Sequence, residues 1–164
     1  MTAPPLVAAA RASRGPLFPW CLLAGVVAGL ADLGAATLYW WMVDGVPPLR
    51  IPQSIAAWVL GREAFAGGMA TAVAGTVLFV VLTWGLVHLY ASLATAWPAL
   101  RRHSVRNGLA YGALAYVAVF HIAVPLFAVD GAAPTRPDGI GFGLLACAVL
   151  VGLPCAWAAR RLRA

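Results

Sequence analysis

The stretch that decides the fold is WCLLAGVVAGLADLGAATLYWWMV, residues 20–43, an apolar run with one carboxylate, Asp32, near its centre. About 20 consecutive apolar residues are enough for an α-helix to cross the hydrocarbon core of a bilayer. A carboxylate at that depth costs roughly 2.5–3.5 kcal/mol on insertion scales, so it normally faces protein or water instead of lipid. The stretch therefore predicts a first membrane-spanning helix on which Asp32 is covered by other parts of the chain.

The composition of the whole chain extends this prediction beyond one helix. Of 164 residues, 63% are hydrophobic and 10% are charged, whereas soluble domains contain about 25% charged residues. Further apolar runs at about 67–94, 108–129 and 139–159 are each long enough to span a bilayer. We therefore expect an all-α, polytopic membrane protein with four transmembrane helices, in which residues 1–164 form a single membrane domain.

A shorter apolar stripe lies between the first and second spans. Ile51, Ile55, Trp58 and Val59 follow one face of a helix. Residues 51–60 are too few to cross a bilayer, so they predict a short amphipathic helix in the first extracytoplasmic loop. The pattern leaves open whether this helix is interfacial, lying along the membrane surface, or folds back as a cap over the bundle.

The orientation follows from arginine, because the chain contains no lysine and has a net charge of +6. Two arginines lie in the N-terminal arm, residues 1–18, three in the loop between the second and third spans, and three at the C-terminus. Basic flanks of membrane spans are retained in the cytoplasm. We therefore predict that both termini are cytoplasmic, and the Arg-, Ala- and Gly-rich composition suggests a bacterial inner membrane.

Glycines recur at four-residue intervals on the predicted helices. Gly25 and Gly29 lie on the same face as Asp32, because residues three or four apart are neighbours on a helix. Gly67 and Gly75, with Thr71 midway between them, and the pair Gly108 and Gly112 follow the same four-residue spacing. Small residues let a neighbouring helix approach closely. We expect these to be helix-packing positions, through which the protein associates with a second copy or with a larger membrane complex.

Two histidines also lie within apolar runs. At 1.5 Å of rise per residue, Asp32 and His121 both lie roughly 20 Å from the inner boundary, and His88 lies roughly 10 Å from it. We therefore predict an intramembrane polar site in which Asp32 pairs with His121, with the alternative that His121 faces a different neighbour. The different depths of His88 and His121 argue against a haem, and no metal-ligand spacing occurs. We expect neither a cofactor nor a metal.

The remaining chemistry-bearing residues do not form a recognisable catalytic pattern. The serines lack the Gly-x-Ser-x-Gly context of a hydrolase. Cys21, Cys147 and Cys155 are isolated within apolar runs, which favours packing over a disulfide or a zinc site. We therefore expect a non-enzymatic membrane component that contacts the lipid bilayer and not nucleic acid. The alternative is a proton-linked or small-solute transporter that uses Asp32 and His121.

Several residues in the second half of the chain stand at spacings typical of one family. They are Tyr90, Pro98, the pair Gly108 and Gly112, and Pro125-Leu126. With these residues the chain resembles the uncharacterised bacterial YagU-like inner-membrane proteins. The resemblance implies a small helical inner-membrane protein and supplies no activity. The chain departs from the family pattern at Phe79 and Phe120, where that pattern has histidines.

Overall fold

The computed structural model describes residues 17–102, 104–128 and 134–161. Its long helices are α1 (Leu17–Asp44), α3 (Gly68–Ala96), α5 (Ser104–Phe127) and α6 (Pro137–Arg161). Between them lie α2 (Arg50–Leu60), the 3-10 turn Gly61–Phe65 and the short helix α4 (Ala99–Arg102). All four long helices are long and apolar enough to cross a membrane, so the predicted all-α polytopic fold is confirmed. Most of the predicted arm, 1–18, lies outside the described residues.

The two ends of the bundle are named by the direction of the helices. We call the distal end the one at which α1 and α5 finish and α3 and α6 begin, and the basal end the opposite one. At the basal end the ring of Trp20 meets that of Trp157 edge to face at 5.6 Å, and the Arg161 guanidinium lies 5.2 Å from both ring centroids. Tryptophan and arginine at a helix end are typical of a membrane interface.

The glycine face of α1 packs directly on α3. A Cβ at Gly25 would lie 2.5 Å from the Trp84 Cα atom, and one at Gly29 would meet Thr83 and Val80. The Thr83 hydroxyl donates a hydrogen bond to the Gly25 carbonyl at 3.1 Å. Since the two backbones touch here, the face that carries Asp32 is turned into the bundle.

The packing of α5 on α6 uses glycine in the same way. A Cβ at Gly108 would meet the Gly152 carbonyl at 2.5 Å, and one at Gly112 would overlap the backbone of Cys147 and Ala148. Helix α6 also packs against α1 and α3, so it is the element that joins the two helix pairs.

The short helix α2 folds back onto α3. Pro52 and Ala56 pack against Gly75, and the Gln53 side-chain amide donates to the Gly68 carbonyl at 3.0 Å. The structure therefore packs this helix against α3, and its position relative to the membrane surface stays a prediction.

Gly67 does not join two helices in the way that the sequence predicts for it. The atoms nearest to a Cβ at this position belong to Thr71, one turn further along α3. The Thr71 hydroxyl itself donates to the Ala64 carbonyl at 2.6 Å. Gly67 therefore lies in the turn that leads into α3, and its assignment as a helix-packing position is corrected.

Helices α5 and α6 each contain a wider π-helical segment. These segments are Val117–Ala123 and Cys147–Val151, and each precedes a proline, Pro125 or Pro154. Proline has no N–H, so the carbonyl four residues earlier loses its helical donor. A π segment accommodates the break by shifting the hydrogen bonds to more distant partners.

Candidate functional site

A cavity of about 380 Å³ lies in the distal half of the bundle. It is lined by residues of all four long helices and of α2, and it reaches the distal surface, where Ser54 and Phe65 are exposed. Its floor is formed at Asp32, which lies 12 residues before the end of α1 at Asp44. At 1.5 Å per residue, the floor is about 18 Å from the distal end of α1.

Asp32 is the charged group of this cavity. Its side chain is 5% exposed, and the Cys147 sulfur lies 3.9 Å from both carboxylate oxygens. Within the described ranges this thiol is the only hydrogen-bond partner of Asp32. Because a thiol is a weak donor, the carboxylate is buried with little compensation from the protein.

Tyr116 contributes a second polar group with an unused hydrogen-bonding capacity. The residue is 2% exposed and lines the cavity, and its hydroxyl has no hydrogen-bond partner in the part of the chain that the structure describes. The Tyr116 ring packs against Gly143 and lies 4.9 Å from the ring of Phe120. Buried hydroxyls are nearly always paired, so an unpaired one beside a cavity indicates a place where a ligand or water is bound.

The walls of the cavity are mostly apolar and include seven aromatic residues. The aromatic residues other than Tyr116 are Trp40, Trp58, Phe65, Phe79, Phe120 and Phe142. Asp32 is the only charged side chain among the described residues that line the cavity. The space therefore combines an apolar, aromatic lining with one acidic group and one free hydroxyl at its floor.

The helix packing described above positions these groups. Gly25 and Gly29 bring α1 close to α3 and so bury Asp32 on the same face. The close contact of Gly112 with the backbone of Cys147 sets the distance between α5 and α6 at the level of the floor. Phe120 lies within one π segment and Cys147 begins the other, so both floor residues are presented by widened helical turns, a feature often found at functional sites.

A charged cluster lies at the distal rim beside the cavity. Arg136 makes ion pairs with Asp44 at 2.7 Å and with Asp138 at 2.8 Å, and its guanidinium lies 5.7 Å from the centroid of the Trp40 ring. The hydrogen bonds to Asp44 and Asp138 raise the pKa of the Arg136 guanidinium above its usual range. The cluster ties the end of α1 to the beginning of α6.

No protein-family model matches this chain, and no curated protein or solved structure does. The resemblance to the YagU-like family therefore stays a prediction. The site has to be interpreted from its own chemistry.

The structure does not form the predicted pair of Asp32 with His121. His121 is exposed and meets the ring of Tyr116 edge to face at 5.7 Å, and no hydrogen bond or ion pair joins it to Asp32 in the described ranges. Helical rise gives the depth of a residue but not the direction of its side chain. Tyr116 and Phe120, four residues apart, line the cavity, whereas His121, the next residue along the helix, does not.

His88 also lies on the outer surface of the bundle. It is exposed, and its ring lies 6.0 Å from that of Trp84 on the preceding turn. Neither histidine lines the cavity, and the described residues contain no group of three His, Cys, Asp or Glu side chains that could hold a metal. The polar site therefore consists of Asp32, Cys147 and Tyr116.

Sequence reasoning missed Cys147, Tyr116, Phe79 and Phe120 as site residues. The four-residue spacing of Tyr116 and Phe120 was an available signal, because it places two aromatic rings on one helix face. Phe79 and Phe120 both line the floor of the cavity with Asp32. Cys147 had no local signal, since its contact with Asp32 joins residues 115 positions apart.

Proposed function

We propose that this protein binds a small solute within the membrane and that the cavity above Asp32 is its binding site. The observation that carries the proposal is a carboxylate, 5% exposed, that lines a cavity of about 380 Å³ and has only a thiol as hydrogen-bond partner among the described residues. Ligand pockets typically have volumes of about 300–1,000 Å³, apolar walls and a few placed polar groups. An uncompensated buried carboxylate destabilises the fold, so its presence at such a pocket favours a functional role.

This proposal replaces the role of packing component that the sequence favours. Gly29, Gly108 and Gly112, which were expected to mediate association, contact other helices of the same chain. Their surfaces are therefore filled within one copy and do not provide the interface on which that expectation rested.

Transport of the bound solute is the second candidate function. It is favoured by the depth of the site, because membrane carriers bind their substrates near the middle of the bilayer. Below the floor, the basal half is closely packed by a core that includes Cys21, Val87, Tyr90 and Cys155. Transport would require this core to open, whereas binding alone would not. We also propose that the basal end faces the cytoplasm of a bacterial inner membrane, on the strength of the arginine clusters.

The three cysteines allow a direct test of access to the cavity. Cys147 lines the cavity and is 7% exposed, whereas Cys21 and Cys155 are 0% exposed in the basal core. We expect methylmercury, a small thiol reagent that crosses membranes, to modify Cys147 faster than the other two in the full chain in lipid vesicles. Peptide mass spectrometry measures the three rates in one sample.

A matched pair of variants then tests whether the reagent reaches Cys147 through the cavity. Ala36 lines the cavity one turn beyond Asp32, and a helical side chain covers the turn that precedes it, so Ala36→Phe places a ring over the carboxylate. Ala35 does not line the cavity, and Ala35→Phe is the control. We expect Ala36→Phe alone to slow the labelling of Cys147. Equal rates for all three cysteines, or equal effects of the two variants, would contradict the proposed site.

A further inference from the structure

We infer that the ligand of this cavity is an amine, a monocation whose ammonium group carries N–H donors and whose body is apolar. The inference rests on the proposed binding function and deepens it. It is drawn from one juxtaposition: Asp32 and Tyr116 both line the cavity among several aromatic residues, each is more than nine-tenths buried, and the Tyr116 hydroxyl has no hydrogen-bond partner among the described residues.

The charge of the cavity selects the sign of the ligand. Asp32 is the only charged residue among the described residues of its lining, and no basic side chain is present there to receive an anion. A buried carboxylate is stabilised by an opposite charge that approaches it closely, whereas a second negative charge in the same space is repelled. A single positive charge on the ligand therefore complements the site.

The hydrogen-bonding groups select an ammonium with N–H donors. An ammonium has up to three donors and no acceptor. One N–H fits the Asp32 carboxylate, and a second fits the Tyr116 hydroxyl oxygen, which has no partner within the described chain. A quaternary ammonium offers the charge but no donor, so it would leave both groups without a hydrogen bond.

The aromatic lining suits both parts of such a ligand. Phe79 and Phe120 line the floor together with Asp32, where their ring faces can attract a cation. Trp40, Trp58 and Phe142 line the space between the floor and the distal end and offer apolar contact to the body of the ligand. The cavity therefore offers polar contacts to one end of the ligand and apolar contacts to the rest of it.

The charges at the distal opening are mixed. Asp44 and Asp138 share one guanidinium, that of Arg136, so this cluster has one net negative charge. The Arg50 guanidinium lies 5.2 Å from the ring of Phe65 at the same opening and offsets that charge. The preference for a cation therefore rests on Asp32 at the floor and not on the rim.

Three probes that share a 4-phenylbutyl body separate charge from hydrogen bonding. They are 4-phenylbutylamine, the neutral alcohol 4-phenylbutanol, and the trimethylammonium derivative of the same chain. Isothermal titration calorimetry of the full chain in detergent micelles, corrected with empty micelles, gives the affinities. We expect the amine to bind about 10- to 100-fold more tightly than the alcohol, as for the loss of a charge-assisted hydrogen bond, with the trimethylammonium compound in between.

Two variants assign the contacts to their residues. Asp32→Asn is expected to lower the affinity for the amine by about 10- to 100-fold and to leave the affinity for the alcohol nearly unchanged. Glu63→Gln removes an exposed carboxylate that does not line the cavity, and it should change neither affinity. Tyr116→Phe should reduce the advantage of the amine over the trimethylammonium compound but retain the advantage over the alcohol.

The outcomes distinguish the two proposals. If the alcohol binds as tightly as the amine, the cation inference is overturned and the binding site stands. If none of the probes binds while Ala36→Phe still protects Cys147, the ligand class is overturned and the accessible cavity stands. Should Asp32→Asn fail to fold, the three probes on the unmodified chain and on Tyr116→Phe still decide the question.

Discussion

Replacing Gly112 with alanine tests the contact that sets the width of the cavity floor. A Cβ at this position would overlap the Cys147 carbonyl oxygen and lie 2.8 Å from the Ala148 Cα atom. Carbon atoms prefer separations of about 3.5–4.0 Å, so α5 and α6 must move apart by roughly 1 Å. Both neighbours are backbone atoms and cannot rotate away. We expect this overpacking to cost about 1–3 kcal/mol.

A matched variant removes the effect of helix propensity from the measurement. Alanine is favoured over glycine within a helix by about 0.5–1 kcal/mol, which would partly hide the cost at Gly112. Gly85 lies within α3 with open space around its Cβ position, so Gly85→Ala gains the same propensity without a clash. The difference between the two variants should therefore equal the packing cost. For a chain of this size it corresponds to melting temperatures that differ by about 2–12 °C.

Thermal unfolding of both variants in one detergent, followed by circular dichroism, measures this difference. Because Gly112 contacts the backbone of Cys147, Gly112→Ala should also change the methylmercury labelling rate of that thiol, whereas Gly85→Ala should not. If Gly112→Ala were as stable as Gly85→Ala, the two helices would not be in backbone contact, and the account of the floor would be wrong.

Three further variants probe Asp32, the ion pairs of Arg136 and the packing of α2 on α3. Asp32→Leu should raise the free energy of unfolding by about 1–3 kcal/mol, because it removes a poorly compensated buried group, and it should abolish amine binding. A variant less stable than the unmodified chain would show that Asp32 supports the fold. Arg136→Gln should lower the melting temperature at low salt and have less effect at high salt, since it breaks exposed ion pairs; an effect independent of salt would contradict this. Gln53→Ala should lower the free energy of unfolding by about 0.5–1.5 kcal/mol, because the hydrogen bond to the Gly68 carbonyl is lost, and it should speed amide hydrogen exchange in α2 alone. Exchange that is faster along the whole chain would refute this prediction.

Periodicity predicts which side of a helix is buried where the helix is regular. Gly25, Gly29 and Asp32 follow the 3.6-residue repeat of α1, and all three are buried inside the bundle. This face could be predicted because its residues are close in sequence and small side chains have one physical use in a membrane helix, namely close approach. The four long helices follow from hydropathy for a similarly local reason.

The partner of Asp32 could not be predicted in the same way. Asp32 and His121 do match in depth along their helices, but the side chain of His121 points out of the bundle. Direction depends on how α5 is rotated, and the π segment Val117–Ala123 changes that rotation within the helix itself. The true neighbour, Cys147, comes from a helix that begins more than 90 residues after the end of α1.

The departures from regular helix geometry and the unsatisfied polar groups coincide in space. The π segments of α5 and α6 both present residues to the cavity floor, where Asp32 and Tyr116 lack strong partners. The basal half has the opposite character, because the core around Cys21, Val87 and Cys155 is closely packed. The closely packed basal core and the poorly paired groups of the cavity therefore lie in different parts of the bundle. A fold that served packing alone would have no reason to separate them, whereas a binding protein needs a rigid base beneath a site that remains incomplete until its ligand arrives.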